Sequence, residues 1–241
     1  MLENIRIVLV RTFHPGNIGS VARAMKTMGL KQLVLVNPKN YPADEANKMA
    51  RTADDVLEAA VVVNSLFEAV KECSVVIAST ARERGYDLPY LNPEESAEKL
   101  LQASINGKVA LVFGPERMGL SNDDLQHCKH RVTIPTHPDY SSLNIAAAVQ
   151  TLSYEIYKNS LRFEKQSSEV HAPAVYPDIE STELFYIHLE ATLNEIEFIN
   201  KKHPGKVMNK LRQLFDRAEM TEVELNIMRG ILAGINQNNS K

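Results

Sequence analysis

The amino-acid sequence predicts an α/β fold, a parallel sheet with helices on both faces, followed by a small all-helical C-terminal domain. Over about the first 160 residues, short runs rich in β-branched and apolar residues alternate with stretches of helical periodicity, which is typical of parallel sheets. Beyond that point only helical periodicity remains. We therefore divide the chain into an α/β domain at 1–160, a linker at 161–179 and a helical extension at 180–241.

The first strand is expected at Ile5–Val10, because these residues are mainly apolar and β-branched. A helix follows at 18–28, where apolar residues recur at helical spacing and Gly29 provides a C-terminal stop. Further strands are predicted at 32–36, 61–63, 75–78, 109–113 and 132–134. Further helices are predicted at 65–73, at 94–101, after a capping box that begins at Ser121, and at 143–157.

Three helices are predicted in the extension, at 182–198, at 205–217 and after a second capping box that begins at Thr221. The polar, proline-bearing segment 164–176 precedes them. Four cations share roughly one face of the middle helix: Lys202, Lys206, Lys210 and Arg217. Such a face is usually ordinary solvated surface, but beside an RNA enzyme it is a candidate for phosphate contacts.

Composition excludes several classes of protein. The chain of 241 residues has a formal net charge of −3 at pH 7, so any RNA-binding surface must be a local patch. Cys73 and Cys128 fit two buried thiols in a reducing compartment. The histidines are scattered and form no metal-ligand cluster, and no apolar run is long enough to span a membrane. We expect a cytoplasmic protein without a metal site.

Two polar loops carry the main functional signal. Residues 111–121 (Leu-Val-Phe-Gly-Pro-Glu-Arg-Met-Gly-Leu-Ser) lead from an apolar strand into a tight loop and a helix start, and residues 134–144 repeat this pattern. Open α/β sheets bind ligands in such loops. The turn after the first strand lacks the Gly-x-Gly-x-x-Gly spacing of dinucleotide sites, and a Walker motif is absent. The two loops are therefore expected to frame one pocket for a smaller ligand, uncharged or cationic.

Three segments, in order, resemble the three motifs of the SPOUT superfamily of RNA methyltransferases. The first is Asn17-x-Gly19-x-x-x-Arg23, the second is residues 113–121, and the third is Ile134-Pro135 followed by residues 141–149 (Ser-Ser-Leu-Asn-Ile-Ala-x-Ala-Val). The tail at 203–210 and 225–232 resembles the helical extension of one bacterial branch. Members of that branch methylate the ribose 2′-oxygen of nucleotide 32 in the tRNA anticodon loop.

The resemblance implies that S-adenosylmethionine binds in a deep trefoil knot in the C-terminal part of the α/β domain. It also implies a homodimer, with tRNA approaching across the subunit interface. The residues implied to line the cofactor site are Ser79, Thr80, Ala81, Gly114, Ile134, Ser141, Ser142 and Leu143. The residues expected to support the site are Asn17, Glu116, Gly119 and Asn144. Arg82 and Arg84 follow the first of these loops and are placed to meet phosphate at the pocket mouth.

Arg23 is the candidate catalytic residue. Methyl transfer from a sulfonium to a ribose hydroxyl is an in-line displacement, and a hydroxyl is a weak nucleophile at neutral pH. Because a guanidinium stays protonated, we expect Arg23 to clamp the adjacent phosphate and fix the 2′-oxygen rather than act as a simple base. Position alone also fits an exposed arginine on the polar face of a helix.

Two further residues keep two interpretations each. Glu116 is either a solvated loop acid or helix-cap partner, or a functional residue that braces its loop or meets a positive group. Asn144 either caps the following helix or contributes to catalysis. The leading hypothesis is an enzyme that 2′-O-methylates cytidine or uridine at nucleotide 32 of tRNA with S-adenosylmethionine. The alternative is a non-catalytic RNA-binding protein on the same fold. Loss of Arg23 or of the third-motif residues would favour this alternative, but the sequence keeps both.

Overall fold

A computed structural model describes residues 1–81, 88–166, 175–199 and 204–239. The chain divides into two compact units, Met1–Pro173 and Ala174–Lys241. The strands of the first unit are β1 (Ile5–Val10), β2 (Gln32–Val36), β3 (Val61–Val63), β4 (Cys73–Ser79), β5 (Tyr90–Leu91), β6 (Lys108–Phe113) and β7 (His130–Val132). Its helices are α1 (Pro15–Thr27), α2 (Asp44–Ala50), α3 (Asp54–Glu58), α4 (Leu66–Val70), α5 (Pro93–Ser104), α6 (Asn122–Leu125) and α7 (Ile145–Gln166), after a short 3-10 helix at Leu2–Asn4.

The seven strands form one sheet in the order β3-β2-β1-β6-β4-β7-β5, and every pairing is parallel. The sheet is covered on both faces, because consecutive residues of β1 from Ile7 to Val10 are all fully buried and neighbouring side chains of a strand point to opposite faces. The predicted α/β class is therefore confirmed. The trefoil knot stays a prediction of the resemblance.

The strand register brings the functional loops together. Leu9 of β1 and Ser79 of β4 both lie opposite Phe113 of β6, so these three neighbouring strands end at the same edge of the sheet. From β1, strands β2 and β3 add to one side of the sheet, whereas β6 and the remaining strands lie on its other side. The boundary between β1 and β6 is therefore the topological switch point, where open α/β sheets bind ligands.

The predicted strands β1, β2 and β3 are confirmed at the predicted bounds. The strand expected at 132–134 is wrong by two residues, because β7 ends at Val132 opposite Ser79, the last residue of β4. Ile134 therefore lies in a loop.

Several helix bounds also differ from the predictions. Helix α1 begins at Pro15 rather than residue 18, where the fixed φ of proline suits the first helical position. Helix α4 ends at Val70 because Cys73 already belongs to β4. Helix α7 begins at Ile145 and continues to Gln166, so it occupies residues 161–166 of the segment expected as a linker.

Helices α2 and α3 and strand β5 were not predicted. Both helices are short and are preceded by alanines, so they lack a side-chain cap. Helix α2 depends on tertiary packing: a Cβ added to Gly19 would lie 2.0 Å from the carbonyl oxygen of Ala46. Gly19 of the first motif therefore permits close contact between α1 and α2.

The second unit contains three helices, α8 (Ile179–Glu195), α9 (Pro204–Ala218) and α10 (Glu222–Asn239). Their core includes Phe185, Leu189, Met208, Leu225 and Leu232. The capping box at Thr221 is present, since the Thr221 amide donates to Glu224 Oε2 at 2.8 Å and the Glu224 amide donates to Thr221 Oγ1 at 3.4 Å. The predicted all-helical C-terminal region is thus confirmed. In the described parts of both units, no helix is long and apolar enough to cross a membrane.

Candidate active site

The loop that follows β6 is shaped by two glycines. A Cβ added to Gly114 would lie 2.3 Å from the backbone nitrogen of Leu120, and Gly119 has a φ of +66°. The Gly119 amide donates to the Pro115 carbonyl at 2.8 Å. Because only glycine fits either position without strain, the backbone folds into a tight loop between β6 and α6. Ser121 and Asp124 form the predicted capping box where α6 begins.

A cleft of about 150 Å³ opens at the ends of β4, β6 and the segment after β7. Its lining contains all eight residues implied as cofactor contacts: Ser79, Thr80, Ala81, Gly114, Ile134, Ser141, Ser142 and Leu143. The Thr80 amide donates to the Val132 carbonyl at 3.0 Å, which holds the ends of β4 and β7 together. The two polar loops therefore frame one pocket, as the sequence predicted.

The Thr80 hydroxyl is an unsatisfied polar group in this cleft. Its Oγ1 is buried and has no hydrogen-bond partner among the described residues. A buried hydroxyl without a partner is costly. A ligand that offers a polar atom at this position would remove that cost, so the cleft is suited to a small molecule with hydrogen-bonding groups.

Glu116, Asn17 and Asn144 join the three motifs in one hydrogen-bond network. Asn17 Nδ2 donates to Glu116 Oε1 at 2.8 Å, and Asn144 Nδ2 donates to Asn17 Oδ1 at 3.1 Å. Asn144 Oδ1 also accepts from the Ala146 amide at 2.8 Å, so it caps α7 as well. The amide side chain of Asn17, in the first motif, thus connects the second motif to the third.

Glu116 also holds the turn between β1 and α1. Its Oε2 accepts from the Phe13 amide at 3.1 Å, and its Oε1 accepts from the His14 amide at 3.4 Å. Partial burial raises the pKa of the Glu116 carboxyl, but these hydrogen bonds, its own backbone amide and Asn17 lower it, and the net pKa is below its usual value. The ionised carboxylate therefore braces the loop, one of the interpretations left open by the sequence.

A second link between the β1–α1 turn and the segment after β6 was not predicted; it reaches helix α6. Arg11, directly after β1, pairs through its guanidinium with both carboxylate oxygens of Asp124, with Nη1 and Oδ1 3.2 Å apart. Arg11 has a φ of +51°, a conformation that costs about 1–2 kcal/mol for a residue with a Cβ. Burial raises the pKa of Asp124, but Arg11 and Ser121 lower it below the usual value. No local pattern marks this pair, because its members are 113 residues apart.

Arg23 lies on the exposed face of α1, opposite the buried Val21, Ala22 and Met25. Within the described residues, its guanidinium makes no hydrogen bond or ion pair. It is not among the residues that line the cleft of its own chain. The structure therefore brings the two polar loops together with Asn17, Glu116, Gly119 and Asn144, but Arg23 does not line the cleft that they form.

Comparison with known proteins identifies this arrangement. Residues 4–154 match the model of the SpoU rRNA Methylase family, and residues 180–241 match that of the tRNA methyltransferase TrmJ C-terminal domain. The chain belongs to the SpoU methylase family, in its TrmJ branch. The predicted family and the predicted enzyme class are both confirmed.

Three relatives illustrate the match. The chain is 50% identical over 240 residues to the tRNA (cytidine/uridine-2′-O-)-methyltransferase TrmJ of Escherichia coli strain K12, covering 99% of this chain and 98% of that protein. The crystal structure of TrmJ from Z. mobilis ZM4 aligns with a TM-score of 0.79 at 33% identity and covers 96% and 98% of the two chains. A probable methylase family protein from Haemophilus influenzae Rd KW20 aligns with a TM-score of 0.67 at 42% identity, over 99% and 98%.

The C-terminal unit of this family member carries part of the predicted basic face. Lys206, Lys210 and Arg217 are exposed on α9, and Lys210 Nζ donates to Gln213 Oε1 at 3.2 Å. Lys202 lies outside the described residues, as do Arg82 and Arg84 of the first unit. In the described parts of the chain, no group of three metal-ligating side chains comes together.

Arg212 differs from its basic neighbours on α9. Its guanidinium forms a bidentate pair with Glu183 at 2.6 and 2.8 Å and lies 4.3 Å from the centre of the Tyr186 ring. It is largely buried, with an exposed side-chain fraction of 17%. Arg212 therefore joins α9 to α8 and does not belong to the exposed basic face.

Proposed function

We propose that the chain transfers a methyl group from S-adenosylmethionine to the ribose 2′-oxygen of nucleotide 32, cytidine or uridine, in the anticodon loop of tRNA. The observation that carries the proposal is the Glu116–Asn17–Asn144 network, which joins all three methyltransferase motifs at one cleft. The relatives named as tRNA (cytidine/uridine-2′-O-)-methyltransferases support the same substrate. The proposed substrate also favours a location in the cytoplasm.

The cleft would hold S-adenosylmethionine through the Thr80 hydroxyl and the backbone of the loops that contain Gly114 and Ser141–Leu143. The orphaned Thr80 Oγ1 fits a ligand with polar atoms, and Gly114 lets the loop after β6 pack tightly at the wall of the cleft. When bound, the cofactor supplies an electrophilic methyl group on a sulfonium. The protein supplies position and electrostatics.

Arg23 is proposed to position the RNA. A guanidinium keeps its proton at neutral pH, so Arg23 does not remove the proton of the 2′-hydroxyl directly. It binds the phosphate next to the target ribose in a bidentate manner and thereby fixes the 2′-oxygen for in-line attack. Orientation of this kind lowers a reaction barrier by up to about 7–11 kcal/mol in ideal cases.

We further propose a homodimer in which a second copy of the chain supplies Arg23 to the cleft. Arg23 is exposed and does not line the cleft of its own chain. Tyr154, Tyr157 and Leu161 share one face of α7 and are 50%, 37% and 45% exposed, and such an apolar face is typical of a protein interface.

Mixing two inactive variants tests this arrangement. Arg23→Ala lacks the clamp but has an intact cleft. Gly114→Ala has the clamp but a distorted loop, and it is inactive at a cofactor concentration well below its own raised Kd. If Arg23 acts across the interface, subunit exchange creates one intact site in each mixed dimer, and about a quarter of the wild-type activity returns. A mixture that stays as inactive as its components would contradict the shared site.

The exposed cations of α9 are proposed to contact tRNA phosphates. Each phosphate contact by a lysine releases condensed counterions, so the affinity depends on salt. Lys206→Glu combined with Lys210→Glu is expected to weaken tRNA binding and to flatten the plot of log affinity against log salt by about two units of slope. Unchanged affinity and slope would make this face ordinary solvated surface.

The deciding experiment supplies purified protein with methyl-labelled S-adenosylmethionine and unmodified tRNA that carries cytidine or uridine at nucleotide 32. We expect label at the 2′-oxygen of nucleotide 32 and none on a matched tRNA with a 2′-deoxynucleotide there. Intact cofactor binding without any label on tRNA would refute the proposed function. Label on both tRNAs would refute the target position.

A further inference from the structure

Phe13 presents an exposed aromatic ring beside the candidate active site. It lies in the turn between β1 and α1, and 54% of its surface is exposed. Its amide donates to Glu116 Oε2 at 3.1 Å, and Glu116 lines the cofactor cleft. The backbone that carries the ring is thus fixed to the wall of the cleft.

The ring is oriented by a neighbouring aromatic residue. The Phe13 and His14 rings make an edge contact, with centroids 5.0 Å apart and planes at 79°. Because the His14 amide also donates to Glu116, both residues of the pair are anchored through their backbones. Such an arrangement limits the conformational entropy that Phe13 would lose on contact with a ligand.

The surroundings of Phe13 favour a nucleobase over a protein partner. Phe13 is the one large apolar side chain exposed in the described segment 11–17, the turn and the start of α1, where nearby residues in the sequence include Arg11, His14 and Asn17. Interfaces between proteins have extended apolar cores, as the Tyr154–Tyr157–Leu161 face of α7 would provide. A single aromatic ring among polar groups is typical of sites that stack the splayed bases of single-stranded RNA.

We propose that Phe13 stacks on the base of the target pyrimidine, a step that rests on the proposed function. A nucleobase is attached to the ribose carbon next to the one that carries the 2′-oxygen. A ribose placed for methyl transfer in the cleft therefore presents its base at the cleft rim, where the turn of Phe13 lies. A phenyl ring makes no hydrogen bonds, so it does not distinguish the amino group of cytosine from the carbonyl of uracil. Phe13 thus supplies affinity without choosing between the two pyrimidines.

The test is a double-mutant cycle. It measures wild type and Phe13→Ala, each on tRNA with a base at nucleotide 32 and on tRNA with an abasic ribose there. We expect Phe13→Ala to lower kcat/KM about tenfold on both the cytidine and the uridine tRNA, by the same factor. On the abasic tRNA, wild type and Phe13→Ala are expected to be equally slow, because the contact is already lost. Phe13→Tyr, which keeps the ring, is expected to retain activity.

Two further measurements and one control variant accompany the double-mutant cycle. Calorimetry with S-adenosylmethionine is expected to show equal affinity for wild type and Phe13→Ala. Sedimentation is expected to show the same oligomeric state for both. Val62→Ala, which truncates a side chain that is also 54% exposed but lies on the edge strand β3, is expected to behave as wild type in every assay.

Several outcomes would overturn the stacking role. These are full activity of Phe13→Ala, an equal loss on base-bearing and abasic tRNA, unequal losses on cytidine and uridine, or loss of the dimer. Failure of the proposed function is a separate result, in which wild type itself puts no methyl group on nucleotide 32.

Discussion

Glu72 and Glu116 lie at opposite ends of the same parallel sheet and are held in opposite ways. Glu72, at the amino ends of the strands, pairs with Arg6 at 2.7 Å and Lys108 at 2.8 Å. Glu116, at the carboxyl ends, accepts hydrogen bonds only from neutral groups among the described residues: the side chain of Asn17, the amides of Phe13 and His14, and its own amide. The charge of Glu72 is balanced by cations, whereas the described partners of Glu116 stabilise its charge through their dipoles.

This difference suggests that the amino end of the sheet serves stability and the carboxyl end serves function. The amino end is joined by ion pairs between strands, and its carboxylate is half exposed. The carboxyl end has left-handed backbone at Arg11 and Gly119. Within the described residues, the Thr80 hydroxyl has no hydrogen-bond partner and the Glu116 carboxylate has no cationic partner. Such strain and unbalanced polarity are typical of functional sites. Changes at the carboxyl end should therefore affect binding or turnover, and matched changes at the amino end should affect stability at most.

The largest expected effect follows removal of the Arg23 guanidinium. Arg23→Ala should lower turnover by about a thousandfold or more, because orientation of the ribose is lost. Affinity for S-adenosylmethionine should stay within about twofold. Lys31→Ala, at an exposed cation before β2 at the amino end, should leave both quantities unchanged. A large loss of cofactor affinity in Arg23→Ala, measured by calorimetry, would show that Arg23 is part of the cofactor site instead.

Two glycines at opposite ends of β6 provide the next comparison. Gly114→Ala should weaken S-adenosylmethionine binding by about a hundredfold, because the new Cβ would lie 2.3 Å from the Leu120 nitrogen and would open the loop. A Cβ at Gly107 meets nothing within 4 Å, so Gly107→Ala should bind the cofactor normally. Equal affinities for the two variants would show that the loop after β6 does not hold the cofactor.

Exchanging each carboxylate for an amide compares the two ends directly. Glu116→Gln should lower kcat/KM about tenfold or more, because an amide accepts fewer hydrogen bonds than a carboxylate and the three motifs separate. Glu72→Gln should keep full activity and lose at most about 1 kcal/mol of stability, since the Glu72 carboxylate is half exposed to solvent. Methylation rates and urea midpoints of both variants check this. Equal loss of activity in both would mean that the two networks serve the same purpose.

The smallest expected effect concerns pH. Hydrogen bonds from Lys108 and Arg6 lower the pKa of Glu72 from 4.5 to about 2, against a weaker effect of burial. Because the pKa is lowered in the folded state, the stabilisation is complete above about pH 4.5 and is lost as the pH falls toward 2. The urea midpoints of wild type and Glu72→Gln should therefore differ most at neutral pH and draw together as the pH falls toward 2. A difference that grows on acidification would contradict this assignment.

Local sequence patterns predicted much of the fold but not every element. Strands β1, β2 and β3 match their predicted bounds because continuous β-branched runs between breakers are strong local signals. Helices α2 and α3 escaped prediction because they are short and uncapped. The end of β7 at Val132 depends on where its partner β4 stops, which no local pattern records.

In the candidate site, too, local sequence indicated some features and only the folded structure revealed the others. The glycine and serine loops were recognisable from composition and motif order, and all eight implied cofactor residues line one cleft. The bracing role of Glu116 was one of the open interpretations, and Asn144 proved to cap α7 while also reaching Asn17. The Arg11–Asp124 pair and the exposed Phe13 ring were not anticipated.

By itself, the sequence determined the α/β class, the order of the three motifs, the helical C-terminal region and the membership of the methyltransferase family. Each of these depends on residues close together along the chain, where backbone preference and apolar periodicity act. Only the tertiary structure decided that Asn17 meets Glu116 across 99 residues and Asn144 across 127. Contacts between residues so far apart depend on strand register and loop closure, which are properties of the folded sheet and not of any segment within it.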